Sequence, residues 1–248
     1  MVFASKFVGT ECSKYLIDQD APISVIIAGS KDDRKLIDYA KSKGVEVKIY
    51  CKGLQNQMVC DGNHFDWLLN LWSPHILRNN FLSAFNHRLN AHPTLVPYCR
   101  GNDGTAWTIR NNFPAGVSLI EIRQEIDAGE VYCQKEVDYH PLLTTGRELH
   151  QLLQMEMINL FKCNWPKIYK GEIKTQAQVG NVFSYKRKDT EFDRKRSSIE
   201  QFSDIETVIR WINGHDFSPG TSAEIAFKGE KYKLRLDIEK IKEAKNAS

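Results

Sequence analysis

The chain has 248 residues, 42% of them hydrophobic, and its 34 basic residues nearly balance 31 acidic ones for a formal charge of +3. This length supports one substantial core or a core with a small appendage, and the charges are too balanced to imply polyanion binding as the main business of the surface. No apolar run approaches the roughly 20 residues that cross a bilayer, and the opening MVFASKFVGTECSKYL lacks a basic stretch followed by an apolar one.

A cytoplasmic protein without a membrane partner is therefore expected. The cysteines (Cys12, Cys51, Cys60, Cys99, Cys133, Cys163) are scattered without C-x-x-C or zinc-ligand spacing, which predicts free thiols and no metal site.

In chain order, the first half alternates short β-branched runs with amphipathic segments: ISVIIAGS, DDRKLIDYAKSKG, VEVKIY and FDWLLNLW. Such alternation predicts strand–helix–strand units with right-handed crossovers, hence an α/β, Rossmann-like fold with a mostly parallel sheet covered on both faces. Open sheets of this kind bind ligands beyond the carboxyl ends of their strands. The G-x-G-x-x-G fingerprint is missing after the first strand, where only Gly9 stands, which disfavours a dinucleotide cofactor.

GVSLIEIR and GEVYCQKEV read as strands around the turn QEIDAG, which sets Asp127 near a strand end with Gly129 available for a positive φ. A long helix follows, opened by Thr145 and Glu148 in capping-box spacing. It directs Leu149, Leu152, Leu153, Leu160 and Phe161 to a core, with Met155 and Met157 as packing.

After residue 180, SYKRKDTEFDRKRSS reads as a charged, solvated connector. The next helix takes Ser203 and Glu206 as its capping box, turns Ile205, Val208, Ile209 and Ile212 inward and stops at Gly214. AEIAFKGEKYKLRLDI reads as a hairpin, with Tyr232, Leu234 and Leu236 alternating around a Lys-Gly-Glu turn.

One stretch carries chemistry: RLNAHPTLVPYCRGNDGTAW. Residues two apart in an extended segment point to the same side, so Asn90 and His92 present an amide and an imidazole to one small volume. Pro93 biases His92 toward the extended backbone that this requires. Cys99, within the stretch, reads as an incidental thiol rather than a nucleophile.

NAHPTLVPYCRG, followed by GVSLIEI and then EIDAGEV, resembles the 10-formyltetrahydrofolate-dependent formyltransferases. Their pattern runs Asn-x-His-Pro-Ser-x-x-Pro-x-x-x-Gly, then a Gly-Val-Thr/Ser strand, then Asp-x-Gly. The resemblance covers residues 1–170 and implies a formyltransferase catalytic domain over 1–180, with a small C-terminal helix and β-hairpin subdomain over 181–248. Carried over residue by residue, it implies Asn90, His92 and Asp127 as a catalytic trio and 10-formyltetrahydrofolate as co-substrate, with no metal. A fixed amide such as Asn90 stabilises an oxyanion by ~3 kcal/mol when oriented beforehand. The imidazole and carboxylate suit proton movement between the attacking amine and the departing folate nitrogen.

The resemblance also implies a folate pocket at SPHIL and at the turn before Asp127. Ile76, Leu77 and Ile126 would line the pterin, with His75 close to the reacting centre. Thr94 replaces the commoner serine, and Ile120 stands where many relatives place a histidine.

The acceptor is read from the C-terminal part, whose net charge over residues 181–248 is only +2, from 14 basic and 12 acidic residues. Enzymes that formylate methionyl-tRNA are longer and end in a basic barrel, so a nucleic-acid partner is disfavoured. A helix and hairpin after a Tyr-Lys-Arg-Lys-Asp stretch resemble the sugar N-formyltransferases that act on dTDP-linked amino sugars. This implies dTDP-4-amino-4,6-dideoxyglucose as acceptor for O-antigen or other surface-polysaccharide synthesis, and a homodimer. The alternatives are a 3-amino sugar nucleotide and methionyl-tRNA. Lys186, Arg187 and Lys188 offer cations for a diphosphate, and Trp107 a cover for the sugar or base, with core packing as the alternative for Trp107.

Overall fold

A computed structural model of the protein describes residues 1–60, 62, 64–196 and 200–241, the Cys60 side chain excepted. The expected Cys60 thiol, the last two serines of the charged stretch and residues 242–248 of the C-terminal part thus lie outside the described residues.

In chain order the elements are β1 (Val2–Ala4), α1 (Lys6–Asp18), β2 (Ile26–Ala28), α2 (Arg34–Ser42), β3 (Val47–Ile49), α3 (Leu54–Cys60) and β4 (Phe65–Leu71). There follow α4 (Asn79–Leu82), β5 (Phe85–His92), β6 (Arg100–Gly101), α5 (Gly104–Arg110), β7 (Ala115–Glu121), β8 (Val131–Val137) and α6 (Gly146–Tyr169). The remainder comprises β9 (Ser184–Tyr185), α7 (Arg187–Arg194), β10 (Lys195–Arg196), α8 (Ile205–Gly214), β11 (Ala223–Phe227) and β12 (Glu230–Leu234).

The central sheet has seven strands in the order β3-β2-β1-β4-β5-β7-β8. Its strands are parallel from β3 to β5, whereas β7 runs antiparallel to both β5 and β8. The fold is therefore the mixed, mostly parallel α/β architecture that the alternating pattern predicts. Strand order reverses between β1 and β4, and the crevice at the carboxyl ends of such neighbours is where open sheets bind ligands.

Alternation along each strand builds two cores. Val2, Ala4, Ile26, Ala28, Leu69 and Leu71 face α1, α2 and α6, and they pack with Leu16, Leu36, Leu153 and Phe161. Phe3, Ile27, Leu68 and Phe85 face the opposite side, where α3 and α4 supply Leu54, Met58 and Phe81. The Thr145 capping box forms as expected, Thr145 Oγ1 accepting from the Glu148 amide at 3.3 Å and the Glu148 carboxylate accepting from the Thr145 amide at 2.8 Å. Met157 is buried in the core, but Leu152 and Met155 lie on the exposed face of α6, contrary to the packing expected of them.

The C-terminal part departs further from expectation. The charged stretch is folded as β9, α7 and β10, with Thr190, Asp193 and Arg194 buried. Its charges are internal because they meet partners: Asp193 Oδ2 accepts from His215 Nε2 at 2.9 Å and from Arg110 Nε at 3.3 Å, and Oδ1 pairs with Arg196. Since Arg110 belongs to α5, this hub ties α7 and α8 to the main sheet domain. The cap of α8 is Asp204, accepting from the Thr207 amide at 2.7 Å, rather than Ser203. Ile212 is buried and Val208 packs beside it as expected, whereas Ile205 is exposed and Trp211 is the largest buried side chain of the face. Gly214 lies in the last turn of α8 because a Cβ there would meet the Ala106 carbonyl oxygen at 2.8 Å. The hairpin forms as expected, with Lys228 and Gly229 both at positive φ in its turn.

Burial opposes ionisation of Asp193, but the His215 hydrogen bond and the Arg110 and Arg196 charges outweigh it, leaving the carboxyl below its usual 3.8. Its contribution to stability is therefore complete above 3.8 and lost as pH falls through the lower folded value. Asp193→Asn is expected to cost about 3 kcal/mol at neutral pH, the loss of one member of a buried charge cluster. Urea unfolding of variant and wild type should also show this difference shrinking as the pH falls below 3.8; a difference independent of pH would contradict it.

Candidate active site

β5 ends on Asn90 and His92, separated by Ala91, whose side chain goes to the core. The two polar side chains emerge together at the carboxyl edge of the sheet, as their spacing predicts. Asp127, in the turn between β7 and β8, meets both of them. Asn90 Nδ2 donates to Asp127 Oδ1 at 3.0 Å, and His92 Nδ1 lies 3.4 Å from Asp127 Oδ2. Oδ2 also accepts from the Gly101 amide at 2.9 Å.

The remaining polar atoms of the pair are fixed as well. Asn90 Oδ1 accepts from Asn70 Nδ2, across the β4–β5 pairing, at 2.9 Å. Because its oxygen and one N–H are engaged, the second N–H of Asn90 is the donor left for a ligand. His92 is 3% exposed, and its Nε2 faces the Cys99 carbonyl oxygen at 3.3 Å, so both ring nitrogens are aimed at acceptors. Cys99 itself is buried, and burial pushes its thiol up to about 12, which suits an inert residue rather than a nucleophile.

The trio opens onto a cleft of about 360 Å³ lined also by Lys6, the Trp72–Leu77 segment, Asn102, Ile120, Ile126 and Arg187. Ile76 and Ile126 are 73% and 55% exposed on its walls, apolar surface without an internal partner to cover it. Leu77 is half-buried against the α3/α4 core. His75 stacks on Tyr50 with centroids 3.6 Å apart, and its Nε2 lies 2.8 Å from the Gly29 carbonyl oxygen. Ile120 is buried and pairs across from Asn90. Asn70 Oδ1 and Ser73 Oγ are buried without a hydrogen-bond partner, although both residues line the cleft. A buried acceptor left unmet costs about 1–3 kcal/mol, so both atoms are available to a polar group in the cleft.

The residues read as substrate contacts fall in different places. Arg187, the first residue of α7, lines the cleft, whereas Lys186 and Lys188 are exposed outside its lining. Trp107 is also outside it: its ring stacks on Tyr185 at 4.1 Å between centroids, and its Nε1 donates to Thr190 at 3.0 Å. That arrangement welds α5 to α7. Ser73 and Gly101 lie inside stretches read from the sequence, SPHIL and NAHPTLVPYCRG, but were given no role of their own; Asn70 was missed, although it is the polar residue within the apolar run WLLNLW.

Asp127, and not Gly129, takes the positive φ of its turn, at 53°. Gly129 is needed for a different reason, because a Cβ there would stand 1.8 Å from the Glu121 carbonyl oxygen.

No protein-family model matches the chain. In sequence it is similar to methionyl-tRNA formyltransferase from Mycoplasma pneumoniae, 26% identical over 160 residues that make up 64% of this chain and 49% of that one. The chain spans about half the length of the curated relatives it matches. In structure it is similar to a 4-N formyltransferase from Francisella tularensis, with a TM-score of 0.78 and 18% identity over 97% of this chain and 98% of that one. An N-formyltransferase from Helicobacter canadensis, solved with folinic acid and dTDP-3-aminofucose, gives a TM-score of 0.70 and 18% identity over 86% of this chain and 79% of that one. The protein has the Rossmann-like fold of these enzymes.

Gly129→Ala is expected to displace the turn, pull Asp127 from the Gly101 amide and cost about 1–3 kcal/mol in urea unfolding, the range for a forced steric insertion. Wild-type stability would show that the turn has room to give.

Proposed function

We propose that this protein is an N-formyltransferase that moves the formyl group of 10-formyltetrahydrofolate to the amine of dTDP-4-amino-4,6-dideoxyglucose, for surface-polysaccharide synthesis. The observation that carries the reading is the convergence of Asn90, His92 and Asp127 on one open cleft.

The chemistry follows from what each group has free. The acceptor amine attacks the formyl carbon, and the carbonyl oxygen becomes an oxyanion. The uncommitted N–H of Asn90 faces that charge, and its orientation is set in advance by Asn70 and Asp127. The Asp127 carboxylate, with His92 against it, receives a proton from the attacking nitrogen. When the bond from the formyl carbon to N10 breaks, that proton passes to N10, leaving a formamide and tetrahydrofolate.

Ile76, Leu77 and Ile126 support a pterin by covering its faces, and Ser73 and Asn70 offer acceptors to its polar edge. His75 and Arg187 line the same cleft, and a guanidinium such as that of Arg187 suits a diphosphate. Lys186 and Lys188 add positive potential outside the cleft. The folate and the dTDP-linked amino sugar bound to the Helicobacter canadensis neighbour, together with the 4-N specificity in the name of the Francisella tularensis neighbour, support this pairing of substrates.

A second reading, formylation of methionyl-tRNA, is favoured by the relatives matched in sequence. Steep salt dependence of tRNA binding would mark it, since phosphate contacts release counterions.

Incubation with 10-formyltetrahydrofolate and, separately, 4-amino and 3-amino dTDP sugars should give a formylated product by mass spectrometry with the 4-amino sugar. No product with any amino-sugar nucleotide would remove the reading. Single replacements Asn90→Ala, His92→Ala and Asp127→Ala should each lower turnover by ~100-fold or more while the protein remains folded.

A further inference from the structure

Asp127 takes a left-handed backbone at a tight turn, and an outside segment grips that turn. After α6 the chain runs back along the β7–β8 turn. Gln176 and Val131 exchange backbone hydrogen bonds at 2.7 and 2.9 Å, and Thr175 Oγ1 donates to the Glu130 carboxylate at 2.5 Å. Two residues on, Gln178 is half-buried between exposed neighbours. Its Nε2 donates to the carbonyl oxygens of both Asp127 and Gly129, at 2.8 and 2.7 Å. Its Oε1 accepts from Arg100 Nε at 3.1 Å and from a terminal guanidinium nitrogen of Arg100 at 2.8 Å. The next residue, Gly101, donates its amide to the Asp127 carboxylate. The bonds close a ring: Arg100 orients Gln178, Gln178 holds the Asp127 backbone, and the residue after Arg100 holds the Asp127 side chain.

We infer that Gln178 is a positioning residue: by donating to the Asp127 and Gly129 carbonyls, with Arg100 fixing its amide, it sets the place of the Asp127 carboxylate against Asn90 and His92. The inference rests on the reading of Asp127 as an active group. A side chain with one N–H₂ and one carbonyl suits the task, because the ring requires a donor toward the turn and an acceptor toward Arg100. Glutamate at this position keeps the shape and the acceptor but has no N–H for the turn.

The test compares Gln178→Ala and Gln178→Glu with wild type by hydrogen exchange of the Gly101 amide and by formyl-transfer kinetics. Both variants should speed Gly101 exchange by about tenfold or more, the weight of one hydrogen bond to a charged group. Both should lower kcat, by up to about 100-fold for a displacement near 1 Å, with little change in either KM. A residue that merely packed would leave Gln178→Glu like wild type, and that result overturns the inference, as does unchanged Gly101 exchange in both variants. Should neither variant fold, Arg100→Ala is read in the same way, since it releases the Gln178 carbonyl. If wild-type protein makes no formamide, the substrate reading falls while Gly101 exchange still decides the positioning.

Discussion

The arrangement depends on one carboxylate held from several directions. Asp127 receives an amide from Asn90, a backbone N–H from Gly101 and the imidazole face of His92, each from a different part of the chain. A carboxylate that accepts several hydrogen bonds at a sheet edge imposes order on all its donors. The β5 strand end, the loop after it and the β7–β8 turn are thereby fixed relative to one another, and the cleft exists because they are. The left-handed backbone of Asp127 is compatible with its residue type, since aspartate tolerates that region better than most side chains.

The cleft joins two kinds of wall. Strand ends supply the polar trio, while the Ser73–Leu77 segment and the turn before Asp127 supply apolar surface. Position follows from topology, because strand order reverses beside β4 and leaves a crevice that neighbouring crossover helices do not fill. The buried acceptors of Asn70 and Ser73 belong to that setting, as polar groups facing the crevice without a protein partner among the described residues.

Much of this was legible in the sequence, for identifiable reasons. Period-two geometry places Asn90 and His92 side by side whatever the rest of the chain does. The capping box at Thr145 is a local rule locally obeyed. The strand alternation of the first half also foretold the sheet, though not the antiparallel turn of β7. What escaped detection depends on partners distant in the chain. Charges that form the Asp193 hub look identical in sequence to charges in water, so α7 was read as a solvated connector. The sequence left Trp107 between a ligand cover and core packing because its stack with Tyr185 joins residues 78 positions apart in the numbering, and no short-range pattern encodes that pairing. The hydroxyl of Ser203 and the carboxylate of Asp204 are equally good caps on paper, and chain direction decided for the second.

The Asp193 hub reaches further than the stability of one helix. Arg187 opens α7 and Asp193 sits near its end, so the anchor that pins the helix to α5 also holds the residue that α7 contributes to the cleft. The C-terminal part thereby contributes a residue to the cleft that the sheet domain supports. A protease that severed the chain ahead of α7 would spare the three polar side chains and strip away a wall of the vessel in which they work.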